Sequence, residues 1–531
     1  MKNLPIGLQS IEDIITQNFT YVDKTGILYD FVKSKGYYFL SRPRRFGKSL
    51  TCSTLEAIFQ GRKELFDGLA ISKLDYDWKK YPIVRLDFSG IDHETPTELR
   101  VALLEIINEI AKQNKIVITN KLLKSAFRQL IVELADKLGP VVIIIDEYDK
   151  PILDHIGNNV MAIKMRDALK SFYGVLKDKE VDANLRFLFM TGVSKFSKVS
   201  IFSELNNLND LTLDERFATL CGYTQQELEL VFAEHIELFA NHIGKDKADT
   251  LAALKYWYNG FQFSRVNNKV YNPFSILNCL SKHDFANYWF SSGTPTFIMK
   301  FIENNPDDVK KLIMMETEQI SGNGLDKLTL EDYFKNITVL FLQAGYLTFT
   351  DYDPKTNIYS LGYANQEIRL SMTEQILDFV SNVDDVKISK FQAKFKDALL
   401  NDDINMFCST MKDFFVLIPN TVIINLEKYY QGIFFTITKL IGAKITVEDA
   451  TNIGFIDAVL EGKNNTYIIE FKKDKTPDVA LAQIEDKEYF RKFQIDGTKP
   501  IVLVGMNFDY DKNGKNSKGV TLDWKIKAKH D

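Results

Sequence analysis

Between residues 1 and 222, short runs that are apolar at successive positions alternate with longer stretches whose apolar residues recur at helical spacing. The runs are YYFL (37–40), PIVRLDF (82–88), VVIII (141–145) and RFLFM (186–190). A strand that is apolar on both faces must be covered on both, so this pattern predicts buried parallel strands of an α/β sheet. From 223 to 385 the spacing turns mainly helical, opening at Thr224 with a capping box completed by Glu227. Near the end of that zone, a helix around 331–344, the segment YLTFT, a turn at DYDPKTN, the segment IYSL and a helix after Asn365 follow in order. Helix, hairpin, helix is the order of a winged-helix-like module. With no basic recognition helix in it, a lid or spacer is the favoured role over a DNA reader. From 386 to 531, helices precede a hairpin in GFIDAVLEGKNNTYIIEFKK, a helix from Pro477 and a buried-type strand at PIVLVGM. The expected division is therefore 1–222, 223–385 and 386–531, with α/β units at both ends.

Composition narrows the class. A chain of 531 residues exceeds what one core organises, and 45% hydrophobic with 26% charged residues is the balance of a globular protein. Lys and Arg total 66 against 71 Asp and Glu, a net of −5, so any hold on nucleic acid must be local. The lysine-rich stretch from Lys512 to Lys529 reads as a solvated face able to help hold a phosphate backbone. Cys52, Cys221, Cys279 and Cys408 stand far apart with no CxxC pair, which fits a reducing compartment better than a disulfide or zinc framework. Acidic residues occupy the place of a leader's apolar run, and no stretch reaches about 18 apolar residues. A cytoplasmic protein without a membrane partner is expected. The six scattered histidines, His235 and His242 among them, read as structural.

Two constellations carry chemistry. After YYFL the chain runs SRPRRFGKSLTCSTLEAIF, placing Gly47, Lys48 and Ser49 between a strand and a helix. That is the setting of a phosphate cradle: inward backbone amides, a helix N-terminus, a lysine for the β and γ oxygens and a hydroxyl for Mg2+. The general motif puts glycine at position 42, where this chain has Arg42 followed by Pro43, Arg44 and Arg45. Support comes from Asp146 and Glu147 at the end of the most apolar run, where an acid can hold the water shell of Mg2+ and its neighbour can polarise an attacking water. The nucleotide set is thus Arg45, Phe46, Gly47, Lys48, Ser49, Leu50 and Asp146, with Thr191 and Ser194 at the end of RFLFM as γ-phosphate sensors and Glu147 as the catalytic acid. Arg216 reads as a surface ion pair ahead of an arginine finger.

The second constellation spans a hairpin. If Lys463 and Asn464 form its loop, Glu461 lies opposite Thr466 and Asp457 opposite Glu470, about 4.5–5.5 Å apart between Cβ atoms. Two opposed carboxylates call for a cation. Lys472 shares the face of Glu470 and Phe471 points to the other. Asp457 and Glu470 are therefore the expected ligands of Mg2+ or Mn2+, with Lys472 to orient water or neutralise a phosphate, as in phosphodiester hydrolysis.

YVDKT (21–25), YYFLSRPRRFGKSL, IIIDEYDKPI, TGVSKFSKVSIFSELNNLNDLT, YNPFS (271–275) and NYWFSSGTPTF together resemble the bacterial AAA-ATPase-like family, whose members carry a C-terminal PD-(D/E)XK nuclease-like domain. The resemblance covers nearly the whole chain. It implies a P-loop ATPase-like N-terminal domain, a helical middle and a restriction-endonuclease-like C-terminal domain, and in that family the arginine-rich loop without the first glycine is usual. It assigns Asp457, Glu470 and Lys472 to the nuclease motif, Gln483 as the helical residue that follows and Glu427 as the upstream acid. Phe455 stands where related sequences often have a basic residue. The functions implied are ATP binding and hydrolysis coupled to a Mg2+- or Mn2+-dependent nuclease acting on DNA or RNA, with a homo-oligomer possible. The alternative is a nucleotide-dependent switch whose nuclease-like domain binds nucleic acid or a protein without cutting.

Overall fold

The computed structural model describes residues 1–195, 208–291, 319–322, 337–372, 385–418, 427–441, 443–451, 454–495, 499–510 and 520–529. The chain forms two compact units, one from Met1–Pro306 with Met315–Ile368 and the other from Arg369–Asp531 with Asp307–Met314.

In the first unit, β1 (Gly36–Ser41), β2 (Ile83–Asp87), β3 (Val141–Asp146), β4 (Leu185–Gly192) and the short β5 (Asn209–Asp210) form one sheet in the order β2-β3-β4-β1-β5. Every pairing is parallel. All six residues of β3 are buried, as its unbroken apolar run requires. Helix Leu123–Leu138 packs on β3, and helix Pro96–Gln113, capped by Thr95 and Glu98, packs against that helix. Phe127 stacks on Phe172 with ring centroids 4.6 Å apart.

The YVDKT segment acts as a clasp. Asp23 accepts from the Thr25 amide at 2.8 Å and hydroxyl at 2.6 Å, and from the Ala70 amide at 2.7 Å. Lys24 pairs with Glu227 at 2.6 Å, the residue that completes the Thr224 capping box of helix Gln225–Val231. The motif thus ties the sheet region to the helical part that follows. That part packs its own core from Leu228, Phe232, Phe239, Tyr258 and Ile276.

The short pair β6 (Phe261–Gln262) and β7 (Lys269–Val270) is antiparallel. Helix Ile337–Ala344, β9 (Leu347–Asp353), β10 (Ile358–Tyr363) and helical residues 366–372 come in the expected order. A third strand, β8 (Gln319–Ser321), pairs with β10. Residues 331–336, where that first helix is expected to begin, lie outside the described residues.

The second unit holds a mixed sheet of β11 (Lys444–Thr451), β12 (Gly454–Glu461), β13 (Thr466–Lys473), β14 (Ile501–Tyr510) and β15 (Val520–Lys529), in that order. β13 and β14 are parallel and the other pairs antiparallel. Helix Pro477–Asp486 joins the parallel pair and covers one face through Leu481 and Ile484. Helix Glu427–Leu440 sets Phe434 against Phe471 at 5.0 Å and Tyr430 flat on Phe508 at 4.9 Å. The tail expected to be solvated contributes β15, whose Lys525 and Lys527 pair with Asp478 and Glu485. Residues 511–519 of that tail lie outside the description. Among the described residues no helix is long and apolar enough to cross a membrane.

Candidate functional site

The loop from Arg42 to Gly47 joins β1 to helix Lys48–Phe59. Two left-handed residues curl it, Arg45 at φ 65° and Gly47 at φ 90°; glycine takes that conformation without the strain a side chain brings. A cavity of about 400 Å³ opens against the loop. Arg45, Gly47, Lys48, Ser49 and Leu50 line it, and Glu147 reaches it from the end of β3. Glu147 itself sits at φ 51°, an uncommon conformation for a long side chain. Leu8, Ile14, Phe274 and Leu277 make an apolar wall. The Lys48 ammonium donates to the Pro43 carbonyl at 3.0 Å across its own loop.

Four of the residues expected to hold nucleotide do not line the cavity. Phe46 is buried against Phe261 and Phe263, at 4.8 and 5.3 Å, because the loop needs an apolar anchor. The fully buried Asp146 accepts from Arg85 at 3.2 Å and from the Glu147 amide at 3.1 Å. The Thr191 hydroxyl donates across the sheet to the Leu40 carbonyl at 2.8 Å. Ser194 is buried, its amide donating to Asp149 at 2.6 Å and its carbonyl accepting from Tyr148.

Arg42 explains the missing glycine. It is 1% exposed, donates to the carbonyls of Ser41, Thr212 and Phe217 at 2.8–3.1 Å, and stacks on Phe263 at 4.3 Å. Burial pushes its guanidinium down to about 10. The first arginine is thus a structural plug, while Arg44 and Arg45 line the cavity. The indole of Trp289 fixes the Arg44 carbonyl at 2.9 Å. Arg216 pairs with Asp214 at 2.6 Å on an exposed surface, in keeping with the ion-pair reading.

The sequence pattern also passes over Asp149. It takes the amides of Val193 and Ser194 into one carboxylate, and burial pushes it up to about 6. A Cβ on Gly192 would meet its Oδ1 at 2.4 Å, so glycine is needed for that approach.

In the second unit Glu461 pairs with Thr466 and Ala458 with Ile469, which sets Asp457 and Glu470 next along the two strands. Asp457 accepts from the Phe471 amide at 2.8 Å. Glu470 is 1% exposed, and its Oε1 accepts from Lys472 at 2.8 Å. Its Oε2 is buried with no hydrogen-bond partner. Burial and the Asp457 charge push the Glu470 carboxyl up to about 7, against the pull of Lys472. Lys472 also donates to the Phe471 carbonyl at 2.8 Å.

Gln483 stands on the helix over this face, and hydrogen-bonds Tyr489. Burial raises the Tyr489 hydroxyl, and the Gln483 bond works against that; the charges of Glu470 and Asp457 also reach it. Tyr489 is not legible as a site residue, since nothing in the helix pattern marks it. Gly505, level with Glu470 on β14, lets this helix approach: a Cβ there would lie 2.3 Å from the Pro477 carbonyl. Glu427 is the first residue of its helix, and its side chain lies outside the description, as does that of Phe455.

Among the described residues no group of three or more His, Cys, Asp or Glu side chains is placed to hold a metal. The residues present nonetheless fit a hard divalent cation. Two carboxylates converge, and one of them has a buried oxygen with nothing to bond, the kind of group that is costly unless something binds it.

Residues 5–202 match the family model described as "Predicted AAA-ATPase", and residues 425–517 match the PD-(D/E)XK nuclease superfamily. An "Uncharacterized protein in vnfD 5'region" of Azotobacter chroococcum mcd 1 is 35% identical over 527 residues, 96% of this chain and 97% of that protein. Among solved structures, the Aeropyrum pernix ORC2 protein in its ADPNP-ADP complexes is 13% identical over 66% of this chain and 91% of its own, with a TM-score of 0.29. Cdc6p from Pyrobaculum aerophilum is 10% identical over 69% and 97%, with a TM-score of 0.28. By its near full-length match to that relative and by both of its matched segments, the chain belongs to the AAA-ATPase-like family whose C-terminal domain is of the PD-(D/E)XK nuclease superfamily.

Proposed function

We propose that this protein binds and hydrolyses ATP in its first unit and cleaves nucleic acid phosphodiester bonds, with a divalent metal, in its second. The observation that carries the reading is the Glu470 carboxylate: buried, beside Asp457, with an oxygen that bonds to nothing in the protein.

At the first site, Lys48 and the amides at the start of helix Lys48–Phe59 would hold phosphate oxygens, and Ser49 would offer its hydroxyl to Mg2+. Glu147, which lines the same cavity, would polarise a water. At the second site, Asp457 and Glu470 would hold Mg2+ or Mn2+. When bound, that ion supplies Lewis-acid polarisation of a phosphoryl oxygen and an activated water. Lys472, already beside Glu470, neutralises charge on the scissile phosphate, and Gln483 with Tyr489 orients the groups around it.

The net charge of −5 and Phe455 in place of a basic residue favour a second reading, in which the domain holds nucleic acid or a partner protein without cutting. A screen of DNA and RNA with Mg2+ or Mn2+, with and without ATP, separates the two. Metal-dependent products that disappear in Asp457→Ala support the nuclease. Normal cleavage by Asp457→Ala contradicts this site, and a wild type that binds but leaves every substrate intact supports the second reading. Lys48→Ala is expected to abolish nucleotide binding.

A further inference from the structure

Lys150, the lysine of the IIIDEYDKPI segment, brings a further cation to the nucleotide cavity. It is the first residue of helix Lys150–Leu153 and lines the same cavity as Lys48, Ser49 and Glu147. Its ammonium bonds Asp154 Oδ2 at 2.7 Å, one turn on. That same oxygen faces His93 Nε2 at 2.9 Å, across 61 residues of sequence, from the loop between β2 and helix Pro96–Gln113. His93 Nδ1 faces the Ile91 carbonyl. Both nitrogens of the ring thus meet acceptors, which only the doubly protonated imidazolium satisfies.

The Asp154 hydrogen bond raises the His93 ring above its usual range, with burial opposing. Burial works against the Asp154 carboxylate, yet its bonds to His93 and Lys150 hold it down to about 2. The other ionisable ring here, His155, lies 6.3 Å from His93 and turns its nitrogens to the carbonyls of Pro151 and Glu94. Two cations therefore share one carboxylate, so Lys150 keeps charge to offer the cavity. Among the described residues, the cavity wall sets Arg44, Arg45, Lys48 and Lys150 against the single acid Glu147. That excess suits a polyanion. The apolar wall of Leu8, Ile14, Phe274 and Leu277 suits the nucleoside, which leaves the β3 side, with Glu147 and Lys150, for the far end of the phosphate chain.

We propose that Lys150 contacts the terminal phosphate of the bound nucleoside triphosphate and that Asp154 and His93 are positioning residues which hold its ammonium there. This rests on the nucleotide reading of the cavity. The test is calorimetric titration of the full chain with Mg2+ and either ADP or the β,γ-imido analogue of ATP. Lys150→Met is expected to weaken the triphosphate analogue about tenfold and ADP by less than about twofold, with Lys150→Arg retaining most of the affinity. Deprotonation of His93 returns Asp154 to Lys150 alone, so in wild type the preference for the analogue over ADP falls as pH rises from 6.5 to 8.5. In His93→Gln that fall is smaller, and the comparison removes the analogue's own titration. Equal loss of both ligands in Lys150→Met, or loss of neither, overturns the assignment. An unaltered pH dependence in His93→Gln overturns the positioning role, and a wild type that binds neither ligand overturns the nucleotide reading itself.

Discussion

Replacing Glu470 by Gln tests the electrostatics of the carboxylate pair without changing its shape. Oε1 keeps its acceptor role toward Lys472, and the new amide can donate toward Asp457. In wild type the folded state prefers Glu470 protonated, with its carboxyl pushed from 4.5 up to about 7. The sign follows from linkage. The stability this group contributes is fully present below pH 4.5 and is lost as pH rises to 7. Above 7 the metal-free fold carries a buried charge whose cost is on the order of 3 kcal/mol, at about 1.36 kcal/mol for every pH unit between those two values. Glu470→Gln removes that cost. Hydrogen exchange of peptides covering 454–473 reads it locally in the full chain. After correction for intrinsic rates, exchange in the variant at pH 8 is expected to be slower than in wild type by up to about a hundredfold, and equal at pH 4.5. Mn2+ at pH 8 slows exchange in wild type and not in the variant. A variant that exchanges faster than wild type at pH 8, or that keeps the wild-type pH dependence, refutes the reasoning.

Two further predictions rest on packing. Arg42→Met leaves the carbonyls of Ser41, Thr212 and Phe217 without their donor and should cost about 2–4 kcal/mol in chemical denaturation of the first unit, while nucleotide affinity at low temperature stays within about twofold. Gly505→Ala puts a Cβ against the Pro477 carbonyl and Leu481, shifting the helix that carries Gln483; a loss of about 1–3 kcal/mol in the second unit and reduced metal-dependent cleavage are expected, and an unchanged variant contradicts the close approach.

Local pattern makes much of this molecule legible. VVIII reads as a buried strand because an unbroken apolar run needs cover on both faces, and it is one. The hairpin register follows from period two and its loop, which is why the Glu461–Thr466 pair and the opposite facing of Phe471 can be counted out from Lys463 and Asn464. What cannot be read depends on where the chain returns to itself. Thr191 looks like a sensor in sequence, but its hydroxyl answers Leu40 on the neighbouring strand. Arg42 looks like part of a basic loop, yet its acceptors lie at positions 212 and 217. The Lys150–Asp154–His93 cluster is assembled across 61 residues, and Tyr489 joins Gln483 only through the curl of the chain after its helix. The tail from 520 reads as a solvated charge run when its lysines are counted together, although Val520, Leu522, Trp524 and Ile526 alternate with Thr521, Asp523, Lys525 and Lys527 at the period of a half-buried strand, which pairs with β14.

The claim on which the account turns is that Asp457 and Glu470 hold a divalent ion between them. Titration of Mn2+ into the nucleotide-free full chain, followed by electron paramagnetic resonance, addresses it directly. One bound ion in wild type and in Lys48→Ala, lost in both Asp457→Asn and Glu470→Gln, is the predicted result; Mn2+ binding of undiminished strength in Asp457→Asn would contradict it.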